Sequence, residues 1–143
     1  MSLFVVDASV AAKWVLPAAD EALVDEAFEL LRLFSDGQIR FVVPDMFWAE
    51  FTNVLWKSVR RRRWTSAMAT AALAKLTDRN LPTVPSLTLL EDALNLATTY
   101  DRTVYDCLYV ALARRTRAQF VTADEKLANA LAAHLPVKWL GAI

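Results

Sequence analysis

Residues 1–10 read MSLFVVDASV, in which four apolar residues, LFVV at 3–6, run directly into Asp7. An unbroken apolar run of this length predicts a short strand buried on both faces, as in a parallel sheet. No basic residue precedes the run and Asp7 closes it after four positions, so the run is not expected to act as a secretory leader. Further short runs of the same kind follow. FVV at 41–43 is stopped by Pro44, residues 83–85 lie against Pro82 and include Pro85, QFVT occupies 119–122, and residues 137–140 make a fifth. The prolines around 83–85 predict a short or edge strand. Helical patterning fills the intervals. Residues 20–34 place Ala22, Leu23, Ala27, Leu30, Leu31 and Phe34 on one stripe with acids opposite. Residues 46–63 form a second helix with Asp45 as N-cap, and 65–76, 87–99, 104–115 and 124–133 complete the set. The alternation predicts one α/β domain over residues 1–143, with a central parallel sheet of about five short strands and helices on both faces. Such sheets bind ligands at the carboxyl ends of their strands, where strand order reverses.

Composition narrows the chemistry. The 143 residues carry 16 basic and 16 acidic side chains with 56% hydrophobic content, which excludes a disordered chain and any global basic field. The balance hides a polarity: residues 1–50 hold nine acids and three bases (net −6), and residues 51–143 hold seven acids and thirteen bases (net +6). One cysteine, Cys107, excludes an internal disulfide and a multi-cysteine zinc site and fits the reducing cytoplasm. One histidine, His134, excludes a two-histidine metal motif. With two glycines, neither a Walker loop nor a GxGxxG turn can be built. The longest apolar run, residues 107–113, is far short of the ~20 needed to cross a bilayer, so no membrane association is expected.

The informative residues are acids in apolar surroundings. Asp7 ends the first strand, and either it or Ser9 could cap the turn that follows. Glu50 lies in MFWAEFTNVLW at 46–56, where a carboxylate on a packed face loses hydration at considerable cost. Its helical neighbours include Asn53, placed to orient a water or a carboxylate. Asp106 is the sole charge within residues 104–113; a first-turn acid favoured by the helix dipole is the plain alternative. Asp124 follows the QFVT strand and Thr122, and could cap the next helix instead. If the topology holds, these acids meet at one sheet edge. Two carboxylates ~4 Å apart repel by about 4 kcal/mol at an effective dielectric of about 20, so a gathering of them needs cations or shared protons. With no histidine or thiolate among them, the donors are hard oxygens that suit Mg²⁺ or Mn²⁺. Such a set is the kind by which Mg²⁺ activates a water and screens a phosphodiester.

At these residues the sequence resembles PIN-domain proteins, and is most similar to the VapC toxins of prokaryotic toxin–antitoxin pairs. The resemblance rests on VVDASVAAKWVLP at 5–17, VPDMFWAEFTNVLWK at 43–57, TVYDCLYVALA at 103–113 and FVTADEKL at 120–127, and spans nearly the whole chain. It implies a metal-dependent endoribonuclease with Asp7, Glu50, Asp106 and Asp124 around Mg²⁺ or Mn²⁺. It also implies supporting roles for Ser9, Thr122 and Asn53, an RNA substrate, a VapB-type antitoxin and a homodimer. Cys107 stands where the family often has alanine and is assigned no chemistry.

Lys57, Arg60, Arg61, Arg62 and Arg63 crowd five cations into seven residues. They read either as a solvated helix terminus complementing the dipole or as contacts to RNA phosphates. Arg60 lies ten residues from Glu50, ~15 Å along a helix, so these bases suit flanking phosphates and not the scissile one. Arg114, Arg115 and Arg117 form a weaker second cluster. Trp14, Trp48, Trp56 and Trp64 read as packing residues, with Trp14 and the first helices offering a groove for a partner helix or a second copy. The competing functional reading is a non-catalytic metal-binding PIN-like domain acting through protein–protein contacts. Asp7 followed by Ala8 and Ser9 lacks the paired acids of a receiver domain and the Asp-x-Asp of a haloacid-dehalogenase phosphatase. No GxSxG elbow accompanies His134.

Overall fold

A computed structural model describes residues 2–143. The chain runs β1 (Ser2–Val6), α1 (Ala8–Ala12), α2 (Val24–Ser35), β2 (Ile39–Pro44), α3 (Met46–Arg60), α4 (Ser66–Thr77) and β3 (Thr83–Val84). It continues through α5 (Leu90–Tyr100), α6 (Val104–Thr116), β4 (Gln119–Thr122), α7 (Glu125–Leu131) and β5 (Val137–Trp139), with 3₁₀ turns at Ala18–Asp20, Ser86–Leu89 and Leu140–Ala142. The five strands form one sheet in the order β3-β2-β1-β4-β5, every pair parallel. Consecutive residues of the central strands are buried (Val5 and Val6, Phe41 to Pro44, Phe120 to Thr122), which requires cover on both faces.

Strand order explains where the site sits. From β1 the chain steps outward through β2 to β3, then returns to place β4 on the other side of β1. The crevice between the carboxyl ends of β1 and β4 is therefore the switch point. Val6 pairs with Val121, and the Asp7 amide donates to the Val121 carbonyl at 3.1 Å, which holds Asp7 level with Thr122.

The core is aromatic and aliphatic. Phe41 stacks on Phe34 at 4.9 Å and meets Trp14 at 5.5 Å, while Tyr109 stacks on Phe120 at 4.9 Å. Helix α6 is buried without interruption from Cys107 to Ala113, because it packs on α5 and touches β1, β2 and β4. That all-round burial removes its amphipathic stripe and explains the apolar run in its sequence.

Several expected boundaries shift. Residues 20–34 are not one helix: a 3₁₀ turn ends at Asp20, and Leu23, at φ +58°, turns the chain into α2 at Val24. The five-residue α1 is too short for periodicity to reveal. Helix α3 ends at Arg60, where the left-handed Arg62 (φ +59°) reverses the chain. Residues 86–89 wind as a 3₁₀ turn ahead of α5. Asp45 does not cap α3; its backbone is itself helical (φ −62°, ψ −27°), and its Oδ1 accepts the Ser86 amide at 3.1 Å. It staples the start of α3 to the chain beyond β3.

Candidate active site

Four different elements bring the four acids to the carboxyl edge of the sheet. Asp7 follows β1, Glu50 stands on the second turn of α3 after β2, Asp106 on the first turn of α6, and Asp124 just past β4. Because α6 leads back to the amino end of β4, its own amino end and Asp106 must lie at the carboxyl edge.

Asp7 is held from both sides. Thr122 donates its hydroxyl to Oδ2 at 2.7 Å, and the Ser9 amide donates to Oδ1 at 3.4 Å, so Asp7 also caps α1. Ser9 in turn accepts the Ala123 amide at 3.3 Å, and Thr122 accepts the Asp124 amide at 3.1 Å. Ser9 and Thr122 thus tie the end of β1 to the end of β4 around the carboxylate. Burial, the largest influence, pushes Asp7 above the usual carboxylate range against these hydrogen bonds, and the charge of Asp106 adds to it.

Glu50 is half-buried, between the buried Phe47 and Phe51. Its pKa is pushed up to about 7 by burial and then by the charge of Asp7, while the Tyr109 hydroxyl, donating to Oε1 at 3.2 Å, opposes the rise. Asp106 is raised by burial, opposed by Thr103, with the charge of Asp124 raising it and that of Arg102 lowering it. Asp124 is exposed, and its Oδ1 accepts the Leu127 amide at 3.1 Å as the N-cap of α7. Capping and proximity to the other acids therefore hold together.

The four acids influence one another's charge, but they do not close into a cage. Among the described residues, no three acid, thiol or imidazole groups are drawn together tightly enough to hold an ion as they stand. The donor set still suits a hard divalent cation: all are carboxylates, and three are raised chiefly by burial that no ion pair relieves.

The remaining expected residues divide. Asn53 is exposed, makes no side-chain hydrogen bond among the described residues, and borders an apolar groove with Trp48 and Trp56 between α3 and α4. Arg60 lies over Trp56, 5.4 Å from its ring, on that same side. Lys57 and Arg61, seven and eleven residues after Glu50, lie on the Glu50 flank of α3. With Arg63 they line a small cleft opposite Asp20 and Glu21. Glu21 is already paired with Lys13 at 3.3 Å. Arg117 borders a hollow with Ser2 and Gln119 at the amino edge of the sheet, and Arg115 is tied to the Thr88 hydroxyl at 3.0 Å. The second basic cluster thus stands at the wrong edge. Trp14 is committed internally, donating to the Ala27 carbonyl at 2.8 Å, so the open apolar groove lies between α3 and α4 instead. Cys107 is buried and raised to about 11 by burial, which leaves it inert.

Two residues escaped the reading of the sequence. Tyr109 looked like one more apolar position of α6, yet its hydroxyl reaches Glu50. Arg102 stood alone in a loop, yet its charge bears on Asp106. The four-residue spacing of Tyr109 from Tyr105 carries no signal of either contact.

The PIN-domain family matches residues 4–131. Ribonuclease VapC3 of Pyrobaculum aerophilum is 33% identical over 131 residues, covering 87% of this chain and 92% of that protein. Among solved structures, the sarcin-ricin loop cleaving toxin VapC20 of Mycobacterium tuberculosis superposes with a TM-score of 0.65 at 20% identity, over 94% of this chain and 96% of its own. The VapBC2 structure of Rickettsia felis, bound to a DNA fragment from its promoter, gives 0.66 at 12% identity, over 96% of this chain and 98% of the matched chain. With parallel strands ordered around β1, acids at their carboxyl edge and a family match over most of its length, the chain belongs to the PIN-domain family.

Proposed function

We propose that the protein is a VapC-type endoribonuclease, the toxin of a toxin–antitoxin pair, which hydrolyses RNA phosphodiester bonds at the crevice between β1 and β4 with Mg²⁺ or Mn²⁺. The observation that carries this reading is the delivery of Asp7, Glu50, Asp106 and Asp124 from four elements to one edge. The ribonuclease relative supports the activity, and the VapBC assembly supports a VapB-type antitoxin as partner.

Asp7, Glu50, Asp106 and Asp124 would hold the ion. When bound, it screens the phosphate charge and makes a water more acidic. The chain's own part is to orient these acids, against a burial that raises three of them. Thr122 fixes Oδ2 of Asp7, the Ser9 amide fixes Oδ1, and Tyr109 holds Oε1 of Glu50. Arg102 contributes positive charge near Asp106, suited to the incoming phosphate. Lys57 and Arg61 receive phosphates beside the cut, with Arg62 and Arg63 at the outer end of the track and Arg60 turned toward Trp56. Asn53 takes a peripheral position at the RNA or antitoxin border. Among the described residues no helix is long and apolar enough to cross a membrane, and the reading places the protein in the cytoplasm. It also takes a homodimer, for which the exposed Leu87, Leu90 and Leu94 on one face of α5 and the turn before it supply apolar surface.

The test is cleavage of structured RNA with Mn²⁺, with EDTA, and by Asp7→Asn and Asp106→Asn. Activity is expected with Mn²⁺ alone and is lost in the other three cases. Turnover that survives chelation and both substitutions would refute the assignment.

A further inference from the structure

Tyr109 is 1% exposed and stands one turn after Asp106 on α6. Its ring stacks on Phe120 of β4 at 4.9 Å with the planes 9° apart, so its orientation is set by packing. Its hydroxyl donates to Glu50 Oε1 at 3.2 Å, and the backbone amide of Ala8, next to Asp7, bears on the same oxygen. One side chain therefore joins α6, which carries Asp106, to α3, which carries Glu50. It also joins the strand that leads to Asp124 and the turn that carries Asp7.

A buried tyrosine always needs some partner for its hydroxyl, and a backbone carbonyl would serve. Here the partner is the longest of the four acids, the one glutamate among three aspartates. Glutamate is among the side chains that lose most rotamer freedom when fixed, whereas a packed tyrosine ring has little left to lose. A donor held rigidly by Phe120 fixes Glu50 before any ligand arrives, which is how outer partners raise the affinity of metal ligands.

We propose that Tyr109 is a positioning residue that holds Glu50 ready for a divalent ion through its phenolic O–H. This rests on the reading that the acids bind such an ion. The test is isothermal titration of the full chain with Mn²⁺ in four forms: wild type, Tyr109→Phe, Glu50→Ala and the double variant. Phenylalanine keeps the stack and removes only the hydroxyl. About a tenfold weakening is expected from Tyr109→Phe, with no further weakening from the same change in the Glu50→Ala background, where the hydroxyl has lost its acceptor. Tyr109→Met, which fills the space without a donor, is expected to lose as much and serves if the phenylalanine variant folds poorly. Wild-type affinity in Tyr109→Phe, or an equal loss in both backgrounds, would overturn the positioning role while leaving the metal site standing. A wild-type chain that takes up no Mn²⁺ would overturn both.

Discussion

At the scale of single residues, the site is a set of carboxylates kept partly from water, none of them in an ion pair among the described residues. Glu50 shows the consequence most directly. Its pKa of about 7 lies above that of an unfolded glutamate, so between the two values the folded chain binds more protons than the unfolded one. Its contribution to stability is full below the unfolded pKa and is lost as pH rises through about 7. Because Glu50 keeps part of its surface in water, the loss is on the order of 1–2 kcal/mol. Thermal unfolding in EDTA should therefore give a lower Tm at pH 8 than at pH 5.5, and Glu50→Gln should flatten the difference; equal slopes would contradict it. Asp124 separates two roles by substitution. Asparagine caps a helix as well as aspartate, so Asp124→Asn should retain the stability of α7 while weakening Mn²⁺ binding. Asp124→Ala should lose about 1 kcal/mol of stability as well, measured by urea unfolding beside calorimetry. Thr122→Val removes the 2.7 Å donor to Asp7, and RNA cleavage should fall by about tenfold or more with the fold intact.

At the scale of elements, helix α3 places its bases on different flanks. The flank that bears Glu50 continues through Lys57 to Arg61, and the other presents Trp56 under Arg60 beside the groove against α4. If phosphates follow the first flank, Lys57→Ala and Arg61→Ala should each weaken RNA binding. Each should also lower the slope of log affinity against log salt by about 0.7, as for one phosphate contact on a single strand. Arg60→Ala should leave that slope unchanged; filter binding in Ca²⁺ at several salt concentrations decides it. The run of five bases in the sequence could not be divided this way, because the division needs the phase of α3 and the left-handed stop at Arg62. Likewise Asp45 looked like a cap until the chain after β3 supplied Ser86 as its donor.

At the scale of the whole molecule, the site depends on β1, β4 and α6 keeping their register. Phe120 is wholly buried beneath Tyr109, and Phe120→Ala should cost about 3–5 kcal/mol and release the ring that holds Glu50. Loss of Mn²⁺ affinity together with a lowered Tm is the expected pair; a large fall in Tm with unchanged affinity would show that the acids do not depend on this packing. By itself, the sequence determined the α/β class, the positions of five strands and the four acids, because buried strands need unbroken apolar runs and carboxylates in such company stand out. It also contained the Ser9 and Thr122 hydroxyls beside those acids. Tertiary structure alone decided the strand order around β1, the looseness with which the acids gather, the flank on which each base of α3 lies, and the bond from Tyr109 to Glu50. Those depend on contacts across 59 or 115 positions of chain, as between Tyr109 and Glu50 or Thr122 and Asp7. No local pattern encodes them, since a buried tyrosine with a distant partner reads in sequence as another apolar residue of its helix.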